Sequence, residues 1–107
     1  MVTSYTPTPV SVASSGSTTF DGSSSSTNQA VVTSVVGAFD AEIYYEAYDG
    51  SAWQEISPIP DSSGNVTYGS PFHSQGNRVL LVSGERRIRI DNVDTASGYI
   101  ALDGDEV

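Results

Sequence analysis

The one histidine, His73, sits in Ser70-Pro71-Phe72-His73-Ser74-Gln75-Gly76, among hydroxyls that a general base could activate. Nucleophilic catalysis of that kind needs a serine presented on an exposed turn and a third group to orient the base. No Gly-x-Ser-x-Gly elbow occurs anywhere in the chain. Flanked by Pro71 and Gly76, His73 reads as a loop histidine. Glu42 and Glu46 are the best candidates for a carboxylate pair. Glycoside hydrolysis needs two such groups on either side of a sugar cleft, and a chain of 107 residues leaves little room for one. Both read as solvated positions on the outer side of a strand. The expectation is a protein that is not an enzyme.

Asp91, Asp94, Asp103, Asp105 and Glu106 gather near the end of the sequence, and hard cations take oxygen ligands. Their spacing matches no EF-hand loop. The expectation is no cofactor, with a structural Ca²⁺ or Na⁺ ion between loops as the alternative to a diffuse counter-ion cloud. Arg86, Arg87 and Arg89 invite a nucleic-acid reading. Set amid acids and without a stacking platform on the same edge, they do not make a basic patch. Arg87 and Arg89 are expected to pair with carboxylates, across a sheet or across a subunit contact, where the planar guanidinium is favoured. Tyr44, Tyr48, Trp53 and Tyr68 are the aromatic candidates for stacking on a sugar ring. Tyr44 and Tyr48 share one strand parity, which suits a glycan or a protein partner equally. Asn65-Val66-Thr67 matches the glycosylation pattern, but in a chain one quarter Ser and Thr such a match carries little information.

The background to these groups is acidic. Thirteen acids oppose four basic residues, for a formal charge of −9; all four are arginines and lysine is absent. Phosphate-backbone binding depends on Lys and Arg contacts, so nucleic acid is not an expected partner. The longest aliphatic run, Val79-Leu80-Leu81-Val82, falls far short of the ~20 apolar residues of a membrane span, so no membrane partner is expected. Molar salt shortens the screening length to ~3 Å. A dense negative surface then costs little self-repulsion and keeps the protein soluble. Acid excess, arginine as the only cation and only three leucines form a halophilic pattern. The start, Met1-Val2-Thr3-Ser4-Tyr5-Thr6-Pro7, lacks the charged and apolar regions of a signal peptide, and no ordinary secretory export is expected.

The elements that must position these groups are strands. Glu42 to Tyr48 alternates, placing Ile43, Tyr45 and Ala47 inward and Glu42, Tyr44, Glu46 and Tyr48 outward. Asp49-Gly50-Ser51 turns it into Trp53-Gln54-Glu55-Ile56, which Pro58 and Pro60 stop. Asn65 to Tyr68 reads as a short strand. Arg78 to Val82 reads as a strand covered on both sides. After Ser83-Gly84-Glu85, Arg86 to Asp91 alternates with Ile88 and Ile90 inward. Thr95 to Gly98 turns into a strand over Tyr99 to Leu102, and Asp103-Gly104 reads as a second Asp-Gly turn. Val10 and Val12 mark an early strand, and Gln29 to Val36 another. Short strands separated by Gly, Asp and Ser turns predict an all-β fold, an antiparallel β-sandwich or jelly roll, over residues 29–107. Residues 1–28 are set apart as a flexible Ser/Thr-rich arm with one early strand. Within it Phe20 has two readings, a lone apolar anchor for a partner or a side chain tucked onto its own sandwich.

The segment Tyr45-Glu46-Ala47-Tyr48-Asp49-Gly50-Ser51-Ala52-Trp53, followed by Arg87-Ile88-Arg89-Ile90 and Ser97-Gly98-Tyr99-Ile100, resembles small β-sandwich structural proteins of tailed bacterial and archaeal viruses. Similar hairpins occur in carbohydrate-binding and discoidin-like modules. With the halophilic composition, the resemblance implies a virion protein of a haloarchaeal tailed virus, in a capsid decoration, turret or neck and tail accessory role. It implies no catalytic residues. The expected partners are copies of the chain and capsid or other virion proteins, with a glycan as the alternative, and the expected location is a virion assembled in the host cytoplasm. Arg87, Arg89, Phe20, Tyr44 and Tyr48 are the candidate assembly residues.

Overall fold

The computed structural model describes residues 3–58, 72–73 and 79–107. It forms strands β1 (Ser4–Tyr5), β2 (Val10–Val12), β3 (Ser17–Asp21), β4 (Gln29–Gly37), β5 (Ala41–Tyr48), β6 (Trp53–Pro58), β7 (Phe72–His73), β8 (Val79–Val82), β9 (Arg86–Asn92) and β10 (Gly98–Glu106). A 3₁₀ turn, Gly22–Ser24, follows β3. No helix among the described residues is long and apolar enough to cross a membrane.

The strands make two antiparallel sheets that pack face to face. In the first, β10 pairs with β4 on one side and with β1 and β2 on the other, while β4 pairs on its far edge with β7 and β8. The second runs in the order β3-β9-β5-β6. β1 and β2 are two pieces of one interrupted edge, as are β7 and β8. From β2 onward the chain changes sheet at every connection except the β5–β6 hairpin and the β7–β8 step. This interleaving is that of a jelly roll, as the strand spacing predicts. The core draws on both inner faces: Val32, Val35, Leu81, Ile100 and Leu102 from the first sheet meet Phe20, Ile43, Ile88 and Ile90 from the second.

The described part of the arm expected over residues 1–28, residues 3–28, is not separate from this body. β1 and β2 extend the first sheet and β3 forms an edge of the second. Tyr5 is 2 % exposed, and its hydroxyl donates to the Asp21 carbonyl oxygen. Two features let so polar a segment join the fold. β3 needs only one apolar side chain, because just one of its faces is buried, and its threonines suit the pleated surface. Hydroxyls flanking β3 also find partners far along the chain: Ser14 Oγ donates to the Asp94 carbonyl oxygen, and Ser26 donates through both N–H and Oγ to the Glu106 carboxylate. The register then decides between the two readings of Phe20. It stands opposite Ile88 and points inward, 8 % exposed, so its side chain belongs to the core.

Three other expectations are corrected. Asp103-Gly104 is not a turn. It lies inside β10, where the register against β4 shifts and one residue is bulged. A Cβ on Gly104 would overlap the Val31 carbonyl oxygen, which is why glycine stands there. β8 is not covered on both sides: Leu81 is fully buried, while Val79, Leu80 and Val82 are half-buried. β6 includes Pro58 rather than stopping short of it, pairing with Tyr44 at the edge of the sheet, where a missing N–H is tolerated. The other Asp-Gly turn is as expected, with Gly50 at φ +104°. The predicted strand over 65–68, Tyr68, Arg78, Pro60 and the Asn65 pattern lie outside the described residues, as does the side chain of His73.

Candidate functional site

The chemistry-bearing side chains collect on the outer face of the four-stranded sheet. β5 and β9 pair so that Glu46 stands opposite Arg87 and Tyr44 opposite Arg89. Ile43, Ile88 and Ile90 turn the other way into the core, and this period-2 alternation forces the charged positions outward. Glu46 nevertheless is 3 % exposed. Arg87 Nε donates to its Oε1 at 2.7 Å and Arg89 Nη1 to its Oε2 at 2.8 Å. Arg89 Nε lies 3.2 Å from Asp91 Oδ1, an ion-pair contact at an angle that makes no hydrogen bond.

Aromatic rings flank the charges. The Arg87 guanidinium lies over the Trp53 ring, 4.2 Å from its centroid, and that of Arg89 over Tyr44 at 4.6 Å. The Tyr48 and Trp53 rings meet tilted by 54° at 5.4 Å. Tyr44 in turn donates its hydroxyl to Glu42 Oε2. Cation–π contact and the long arginine stems thus roof the Glu46 carboxylate. Of the expected alternatives for Arg87 and Arg89, the fold contains the pairing across the sheet. Tyr44, Tyr48 and Trp53 do not form an open platform, since Tyr44 and Trp53 each give a ring face to a guanidinium. Tyr48 is the most exposed of the three.

Beside this array is a polar cleft of about 280 Å³. Thr19, Asp21, Ser23 and Ser24 form one wall, Trp53 the opposite wall, and Arg87 lies between them. β3 and β6, which carry Asp21 and Trp53, are the two edges of the sheet. Asp21 Oδ1 accepts from the Ser23 N–H and caps the 3₁₀ turn. Among the described residues, Arg87 hydrogen-bonds only Glu46, and Asp21 Oδ2 has no partner. Asp21 and Arg87 are register partners without forming an ion pair.

The acids expected as cation ligands are dispersed. Asp94 binds the N–H groups of Asp40 and Thr95, which hold its carboxyl below the usual range. The Ser26 N–H and then its hydroxyl do the same for Glu106. Asp91 faces Arg89, while Asp103 and Asp105 lie exposed along β10. Among the described residues no three such groups could hold one ion. Asp49 is tied to the hairpin turn: N–H groups of Ala52 and Ser51 and the Gln54 amide hold its carboxyl at about 2.

Sequence reasoning placed Glu46 in solvent, whereas it is the buried hub of the array. The signal that marks it is Arg87-Ile88-Arg89: two outward cations on one strand can share a single carboxylate on the next. Asp21, Ser23 and Ser24 carried no signal at all, being part of a Ser/Thr tract. Compared with known families and with curated proteins, the chain matches no family model and no curated protein.

Proposed function

We propose that this protein is a non-enzymatic structural protein of a virion, a rigid jelly roll that packs against copies of itself and against capsid proteins, at the capsid surface or its vertices. Jelly rolls serve in viral capsids and in lectins, and fold alone does not choose between these uses. What carries the reading is the outer face of the six-stranded sheet. There Tyr99, 64 % exposed, and Val36, 48 % exposed, lie diagonally across the β10–β4 ladder around Ala101. In a chain this acidic, large apolar side chains grouped on one sheet face suit burial against another protein, where tyrosine is favoured.

The occupant proposed for that face is a second copy of the chain. A charge of −9 on each copy opposes contact in dilute buffer. Molar salt screens it to ~3 Å, which matches the halophilic composition and a haloarchaeal tailed virus as the source. Arg87 and Arg89 are engaged with Glu46, so Tyr99 and Val36 become the leading contact residues, with Tyr48 next.

Light scattering coupled to size exclusion tests this in molar and in dilute salt. A discrete oligomer in molar salt is expected, reduced to the monomer by Tyr99→Ser with Val36→Ser at unchanged thermal stability. A strict monomer at high salt, with no affinity for purified particles, overturns it.

A further inference from the structure

The geometry points to the cleft between Asp21 and Trp53 as a binding site for one ring of a neutral saccharide. This goes beyond self-assembly and uses the opposite sheet from the face assigned to it.

A sugar hydroxyl both donates and accepts, so a site that reads it needs both functions close together. Arg87 supplies donors: its Nε is fixed by Glu46, and its two terminal nitrogens are free of other protein partners among the described residues. Asp21 supplies an acceptor: Oδ1 is held by the Ser23 N–H, which leaves Oδ2. A charged donor fork and a charged acceptor on one cleft suit neighbouring hydroxyls, and charge-assisted hydrogen bonds are the strong ones. Thr19, Ser23 and Ser24 add hydroxyls that serve either role. Trp53 bounds the far side with one ring face already covered by Arg87, so hydrogen bonds rather than ring stacking carry the recognition.

Preorganisation supports the same reading. Arg87 is stacked on Trp53 and bonded to a carboxylate that Arg89 also holds, so ordering it costs a ligand little. Asp21 is fixed by the 3₁₀ turn it caps. The balance of charge selects the ligand class: Arg87 is offset by Glu46 and faces Asp21, which favours an uncharged polyol over an anion. The volume, about 280 Å³, lies at the small end for ligand pockets and suits a single ring.

Trp53 is the only tryptophan, so its emission reports on this cleft alone. The full chain is titrated in molar salt with D-glucose, D-galactose, D-mannose, N-acetyl-D-glucosamine and, as the anionic probe, N-acetylneuraminic acid. A saturable change with at least one neutral sugar is expected. Asp21→Asn, which keeps the cap, should weaken it about tenfold. Tyr99→Ser should bind as the wild type does, whether or not it assembles, which separates failure of this proposal from failure of the assembly reading. Amide shifts of Ser23 and Ser24 on titration of the wild type provide a check that needs no variant. No response to any neutral sugar, a response to N-acetylneuraminic acid alone, or equal affinity in folded Asp21→Asn overturns the assignment.

Discussion

The Tyr5 hydroxyl donates to the backbone carbonyl oxygen of Asp21 at 2.5 Å, and so ties β1 of one sheet to the end of β3 in the other. Burial, and then the negative charge of Asp21, push the Tyr5 phenol up to about 12. The neutral phenol therefore belongs to the folded state. Its contribution is complete below the unfolded value of about 10 and is lost as pH rises toward 12. Denaturant midpoints measured across that window should fall in the wild type and fall less in Tyr5→Phe. At neutral pH the same variant should cost about 1 kcal/mol, the net worth of one hydrogen bond.

A chain lacking residues 1–21 should fail to fold. Removing them takes Tyr5, Val12 and Phe20 from the core and strips an edge from each sheet. Circular dichroism with hydrogen exchange checks this. A folded fragment with protected β9 amides would contradict the integration of β1 to β3.

Glu46→Gln should destabilise by about 3 kcal/mol, since it leaves two guanidinium groups packed without their carboxylate. Urea unfolding measures the loss. The loss should persist in molar salt, because a buried pair is screened far less than an exposed one.

The two Asp-Gly glycines should respond differently to alanine. Gly104→Ala places a Cβ on the Val31 carbonyl and should cost about 3 kcal/mol, at the upper end for overpacking. Gly50→Ala meets no atom and suffers only its positive φ, for about 1 kcal/mol. Thermal unfolding of both variants tests the contrast.

Acid should erode the loops. Asp49, Asp94 and Glu106 have folded values below their ordinary ones, so each stabilises the fold above the ordinary carboxylate range, an effect that fades as pH falls through the lowered value. Asp94→Asn and Glu106→Gln should each flatten the fall of stability with pH on the acid side, read from midpoints between neutral pH and the acid transition.

The alternation of Ile43, Ile88 and Ile90 with charged neighbours made the centre of the fold legible, because one buried face imposes period 2 on any strand. The edges obey no such rule. A two-residue strand such as β1 has no period to read, and β3 offers one apolar residue among hydroxyls. The candidate site was legible in part for the same reason. Parity placed Tyr44, Arg87 and Arg89 on one face, but the roof over Glu46 depends on side chains reaching across three strands. The cleft brings the 3₁₀ turn near Trp53 through topology alone.

The pairing of Ser4 with Asp105 and of Val10 with Ile100 joins the two ends of the sequence in one ladder. Contacts so distant along the chain cannot form early, since a long loop must close before they offset its entropy. On a ribosome the first strands must therefore wait, apolar Tyr5 and Val12 uncovered, until β10 has emerged. Their sparse hydrophobicity and dense hydroxyls then have a second value: an edge that waits unpaired is safer from aggregation when little of it is sticky. The polarity of the N-terminal tract is in this sense a property of folding in time, carried unchanged into the finished sheet.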